Sequence, residues 1–301
     1  MILSIYASIP QSHISEGDEL VKVPKIRFFI NKYVNMFYHL CVLFSEYFPD
    51  EISLGILNNS TYRQEHEDLK TEKLHQLFQS LQEYSFYTWD FMGLPLFQTD
   101  KAVPASEILI KMSQKITQLW TEIYQEALNP YETIWALTEP GLKTSISEFE
   151  PQWIPVQQSI LTRMSSIAKL PWKKEYVKVH FVDCIRGGSA WITDVALPPF
   201  PNMDVAKKLL AHELAHTLAP DYFLKTRLQR FGLDWAIAHT VVDLIAYFSV
   251  KEHVVEPEKR GIKPNPSYYA HVEELYPVFE ECYTHPEKYQ SLDQVLAQIK
   301  L

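Results

Sequence analysis

Apolar residues recur every three or four positions along much of this chain, which is the spacing of helices that bury one face. Residues 25–48 are apolar on most sides and read as one buried helix. Its run from Phe28 to Phe48 is interrupted by Asn31, Lys32, Asn35, His39 and Glu46. Residues 62–91 read as a second helix, polar early and aromatic late. Ile108, Met112, Ile116, Trp120, Ile123 and Ala127 make one stripe of a third, which Asn129-Pro130 is expected to stop. Pro140-Gly141, Pro151 and Pro155 then predict a loop-rich stretch with a boundary inside it. That divides the chain into a helical region, 1–150, and a second region, 151–301.

The pattern changes in the second region. Val156, Ile160, Met164 and Ile167 form a helical stripe closed by Pro171. From Tyr176 to Asp183 the period drops to two: Val177, Val179 and Phe181 alternate with Lys178 and His180, as in a strand with one buried face. His180, on the other face, reads as structural or solvated. Gly187-Gly188 marks a tight turn, followed by a second extended run, Ser189 to Leu197, that Pro198-Pro199 ends. Asp204 is the expected N-cap of a helix reaching about Ala219 before Pro220. A further helix is expected from Asp234 to about His253. Strand segments among helices make the fold class α+β.

Composition narrows the function. Hydrophobic residues are 47% and charged residues 22%, ordinary for a globular chain, and 13% aromatics fit thick helix packing. A formal net charge of −9, with no block of basic residues, argues against nucleic acid as a partner. No run of eighteen uncharged apolar residues predicts a membrane span, and Met1-Ile2-Leu3-Ser4-Ile5-Tyr6 lacks the basic and apolar regions of a secretory leader. Cys41, Cys184 and Cys282 stand far apart in no CxxC pair, so reduced thiols and a cytoplasmic location are expected.

Chemistry concentrates in His212-Glu213-Leu214-Ala215-His216. Two histidines four residues apart share one helix face, a separation that suits two imidazole nitrogens on one tetrahedral zinc. Glu213 sits beside them, able to reach a water on the metal without being a ligand. The competing interpretation is two incidental histidines. The apolar setting counts against it, because buried polar groups need partners. Catalysis needs a third protein ligand and an open fourth position. The metzincin pattern fails, since Ala219 and Tyr222 stand where that class carries its glycine and third histidine. Asp221 is a weak fallback. His239 on the next helix, with Asp243 one turn later, is the better candidate: one to bind metal, the other to orient a ligand ring.

His212-Glu213-x-x-His216 followed by His239-x-x-x-Asp243 resembles the gluzincin class of zincin metallopeptidases. There the third ligand is usually Glu, followed four residues later by a supporting Asp. By position, the resemblance implies His239 in place of that Glu and Asp243 in the supporting role. Ser189-Ala190-Trp191-Ile192 resembles the Asn-Ala-aromatic edge strand of thermolysin-like enzymes, with Ser for Asn. The likeness covers residues 155–255 and implies a zincin-like domain with a small sheet and an active-site helix. The expected activity is peptide hydrolysis on zinc, with Glu213 as general base and Ser189–Val195 as an exposed edge that docks substrate beside Trp191. A transition-state stabiliser is left open among Tyr268, Tyr269, His271 and His285. The alternatives are a zinc hydrolase acting on another bond, or a sensor module whose helical half binds an unknown partner.

Overall fold

The computed structural model describes residues 22–47, 59–82, 114–190, 194–200, 202–234, 237–255, 263–266 and 269–300. Strand β1 is Lys25–Phe29 and helix α1 is Lys32–Leu43. Residues 25–29 are therefore not the start of a helix. Lys-Ile-Arg-Phe alternates with period two, and Asn31 begins the helix by accepting from the backbone N–H groups of Tyr33 (2.9 Å) and Val34 (3.2 Å). Two short helices follow where one was expected, α2 (Ser60–Glu65) and α3 (Glu72–Gln82), and residues 83–91 of the expected helix lie outside the described residues.

Helix α4, Gln114–Ala168, runs 55 residues through Pro130, Pro140, Pro151 and Pro155. The stop expected at Asn129-Pro130 and the loop beyond it are not there. Pro140, Pro151 and Pro155 are exposed, so the carbonyls they leave unbonded can meet water. On the opposite face the apolar stripe never breaks: Ile116, Trp120, Ile123, Ala127, Tyr131, Ile134, Leu142, Phe149, Trp153 and Ile160 are all buried. Burial of that stripe outweighs the lost hydrogen bonds. The Ile108 and Met112 end of the stripe lies outside the described residues.

Strands β2 (Tyr176–Phe181), β3 (Ser189–Ala190) and β4 (Asp194–Leu197) complete a sheet in the order β1-β2-β4-β3. β1 and β4 run parallel to β2, while β3 turns back antiparallel to β4, with Ser189 opposite Ala196 and Ala190 opposite Val195. The expected single edge strand Ser189–Val195 is thus two strands. β3 is the outer one, and β4 is paired on both sides. Trp191 lies outside the described residues. His180 is 2% exposed, 3.5 Å from Asp194, and stacks on Phe29, so it is a core residue.

Helices α5 (Met203–Leu218), α6 (Asp221–Arg230), α7 (Ala238–Val250), α8 (Val272–Thr284) and α9 (Leu292–Leu296) follow. Two apolar cores result among the described residues. One joins the second half of α4 to the sheet, α5 and α7; the other joins α1, α3 and the first half of α4. The mixed α+β class stands, with most described residues helical. No helix among the described residues is long and apolar enough to cross a membrane. All three cysteines are free and buried.

Candidate metal centre

Two helices build the site. α5 is started by Asn202, not Asp204: the Asn202 side chain accepts from the N–H groups of Asp204 (3.0 Å) and Val205 (3.2 Å). Asp204 instead accepts from Val255 N–H at 3.1 Å, tying the first turn to the chain beyond α7. α7 is buried almost throughout and packs on α5; it starts at Ala238 rather than Asp234. α5 therefore presents His212 and His216 one turn apart, and α7 presents His239 and Asp243 one turn apart, toward the same place.

The Nε2 atom of His212 lies 2.9 Å from Nε2 of His239 and 3.2 Å from Nε2 of His216. The ligand atoms of all three lie within 4.8 Å of one another. Bonds of about 2.05 Å at tetrahedral angles place ligand nitrogens about 3.3 Å apart, so the spacing fits one ion. The cluster is graded in depth: His212 is buried, His216 half-buried and His239 exposed. An ion there would be gripped from below and reachable from one side.

Proton counting makes the same case. Nδ1–H of His212 donates to Asp243 Oδ1 at 2.8 Å, since an ionised carboxylate can only accept. Burial works against that carboxylate's charge, but the Lys208 ammonium and the His212 N–H reverse the effect and hold it well below the usual range. Burial lowers the His212 pKa to about 3 against the pull of Asp243, so the ring is neutral and its Nε2 carries a lone pair. One lone pair can accept from one neighbour, yet two imidazole nitrogens crowd it. A single cation could serve all three rings together. The triad can hold a metal ion.

Glu213 follows His212 on α5 and is 5% exposed. The backbone of Gly188 lies against it: a Cβ at Gly188 would meet Glu213 Cγ at 2.5 Å and Cδ at 2.6 Å. Gly188 is thus a close approach of backbone to a carboxylate, whereas the sequence marks the glycine pair only as a tight turn. Lys208 was also missed; its ammonium bonds Asp243 Oδ1 and, at 3.2 Å, the Asp243 carbonyl. The available signal was a lysine four residues before His212 on the same face.

Of the four residues left open, Tyr269 reaches the site. Its ring centroid is 5.8 Å from that of His239, and the Asp243 and Glu213 charges act on its phenol. Burial, then the Asp243 and Glu213 charges, push its pKa up, so it stays protonated. His271 pairs with the exposed Glu274 at 3.4 Å at the start of α8, and His285 bonds Thr284 at its other end. Tyr268 lies outside the described residues. Asp221 opens α6, and its side chain is not among those described. No protein-family model matches the chain, and no match to it is found among curated proteins or solved structures.

Proposed function

We propose that this chain is a zinc-dependent metallopeptidase. His212, His216 and His239 would hold the zinc, and Glu213 would be the general base. The observation that carries the reading is a buried carboxylate next in the chain to His212, one of three convergent imidazoles. A structural metal site has no use for such a group. Zinc, when bound, supplies Lewis acidity that brings water's pKa toward about 7 and polarises a carbonyl.

The chain's own residues supply the rest. Glu213 takes the proton from the attacking water and returns it to the leaving amine. Gly188 confines the Glu213 carboxylate, so its position is set before substrate arrives. Asp243 fixes the His212 tautomer that leaves Nε2 free. Tyr269, held protonated, is the donor best placed to meet charge building on the substrate oxygen. The outer edge of β3 is unpaired among the described strands and β3 packs on α5, which supports docking of an extended peptide by strand addition.

The shortness of β3 favours a second reading, a zinc hydrolase for compact amides or esters. A quenched peptide library run beside small ester and amide substrates separates the two. Glu213→Gln tests the enzyme reading itself. Turnover should fall about 10²- to 10⁴-fold with zinc content unchanged. Undiminished turnover would remove Glu213 as the base, and a binding module would keep its activity in this variant.

A further inference from the structure

Lys208 stands one helical turn before His212 on α5, so both side chains leave one face of that helix. Its side chain is 11% exposed. The ammonium donates to Asp243 Oδ1 and to the Asp243 backbone oxygen, while Asp243 Oδ1 also accepts the His212 N–H. One carboxylate oxygen on α7 thus takes a bond from each of two neighbours on α5. A buried carboxylate facing only a neutral N–H is poorly compensated. By gripping side-chain and main-chain oxygens of the same residue, Lys208 pins the carboxylate relative to its own backbone.

The geometry points to Lys208 as a positioning residue of the metal centre: it holds Asp243 in the place from which Asp243 aims His212 Nε2 at His216 and His239. The inference rests on the metal reading above. Lys208 touches neither the ion nor a substrate, and acts through Asp243 alone. It also offsets the Asp243 charge. The hydrogen bond that His212 donates is therefore to a partly neutralised carboxylate, which draws on the N–H less strongly than a bare carboxylate would.

The test is zinc affinity of the full chain, by competition with a chromophoric chelator, together with the absorption spectrum of the cobalt-loaded protein. Lys208→Met should weaken zinc binding about 10- to 100-fold and change the cobalt spectrum, whereas Lys208→Arg should stay within about threefold of the parent. Lys208→Met added to Asp243→Ala should cost nothing more than Asp243→Ala alone. An unchanged affinity and spectrum in Lys208→Met, or additive losses in the pair, overturns the inference. Circular dichroism reports folding. If Lys208→Met does not fold, Lys208→Gln and Lys208→Arg decide: a loss in the first restored by the second supports the role, and a loss in both or in neither overturns it. A parent protein that takes up neither zinc nor cobalt overturns the metal reading and this role with it. Binding by the parent with unaltered variants overturns the Lys208 role alone.

Discussion

Among the described residues, two buried histidines, His39 in one apolar core and His212 beside the other, end in different chemical situations. His39, on α1, is 2% exposed, and its Nδ1 is 2.6 Å from the Tyr62 hydroxyl. Burial, then the nearby His66, lowers its pKa to about 3. His212 is also held to about 3, again by burial first. A depressed pKa therefore does not separate a core histidine from a candidate ligand. The proton count does. His39 and Tyr62 have a donor and an acceptor for one hydrogen bond, and the rings around them, His66 at 5.6 Å and Tyr131 at 5.1 Å, close the packing. At His212 the outward nitrogen is a lone pair facing two more imidazoles, and the depth grading opens the cluster to one side.

That comparison can be broken most directly by removing a candidate ligand on one side and its counterpart on the other. His216→Ala should lower zinc affinity more than about 100-fold, beyond the range that supporting residues command, and leave the fold intact. Chelator competition measures it, and an affinity near the parent's would return the triad to a cluster of surface and core histidines. His39→Ala should do the opposite. It leaves the Tyr62 hydroxyl and a void in the second core, costing about 2–4 kcal/mol of stability in urea unfolding, with zinc stoichiometry unchanged. Loss of zinc in that variant would mean that the two cores are not separable in this way.

Gly188→Ala sharpens the difference within the site. The added methyl must push the Glu213 carboxylate aside, so turnover should drop about 10- to 100-fold while zinc is retained. Unaltered turnover would show that the position of Glu213 is not set by that backbone.

The smallest effect read is one proton's worth of slope in the pH dependence of the metal-free protein. Both histidines titrate near 6.5 when unfolded and near 3 when folded, so the unfolded chain binds more protons between those values. Their contribution is fully present above pH 6.5 and is lost as pH falls toward 3, at about 1.4 kcal/mol per pH unit for each ring. His39→Gln should flatten the slope by one proton's worth. An unchanged slope would mean that His39 does not stay neutral in the fold.

Much of the site was legible because its elements are local. The four-residue spacings in His212–His216 and His239–Asp243 predict a shared face on any helix that carries them, and the structure brings both faces together. The N-cap at Asn202 was missed by two residues. Asn and Asp are both good caps, and only the direction of the Asn202 side chain decides between them. The prolines of α4 misled for a reason of scale. A proline costs one or two hydrogen bonds locally, whereas the stripe from Ile116 to Ile160 stays in register across all four.

By its own periodicities the sequence determined which residues share a helix face, that β2 alternates, and that two histidines and a glutamate sit together in an apolar setting. Tertiary structure alone decided the rest. Lys25–Phe29 became a strand because Tyr176–His180, about 150 residues away, supplies its hydrogen bonds. Ser189–Ala190 became the outer strand because β4 already had β2 on its other side. Gly188 came to rest against Glu213, and Lys208 against Asp243, through packing between separate elements. Helix faces follow from bonds four residues apart within one segment. Strand partners, and the neighbours of a buried charge, are set by which distant segments can bury their apolar faces together, and no local spacing records that choice.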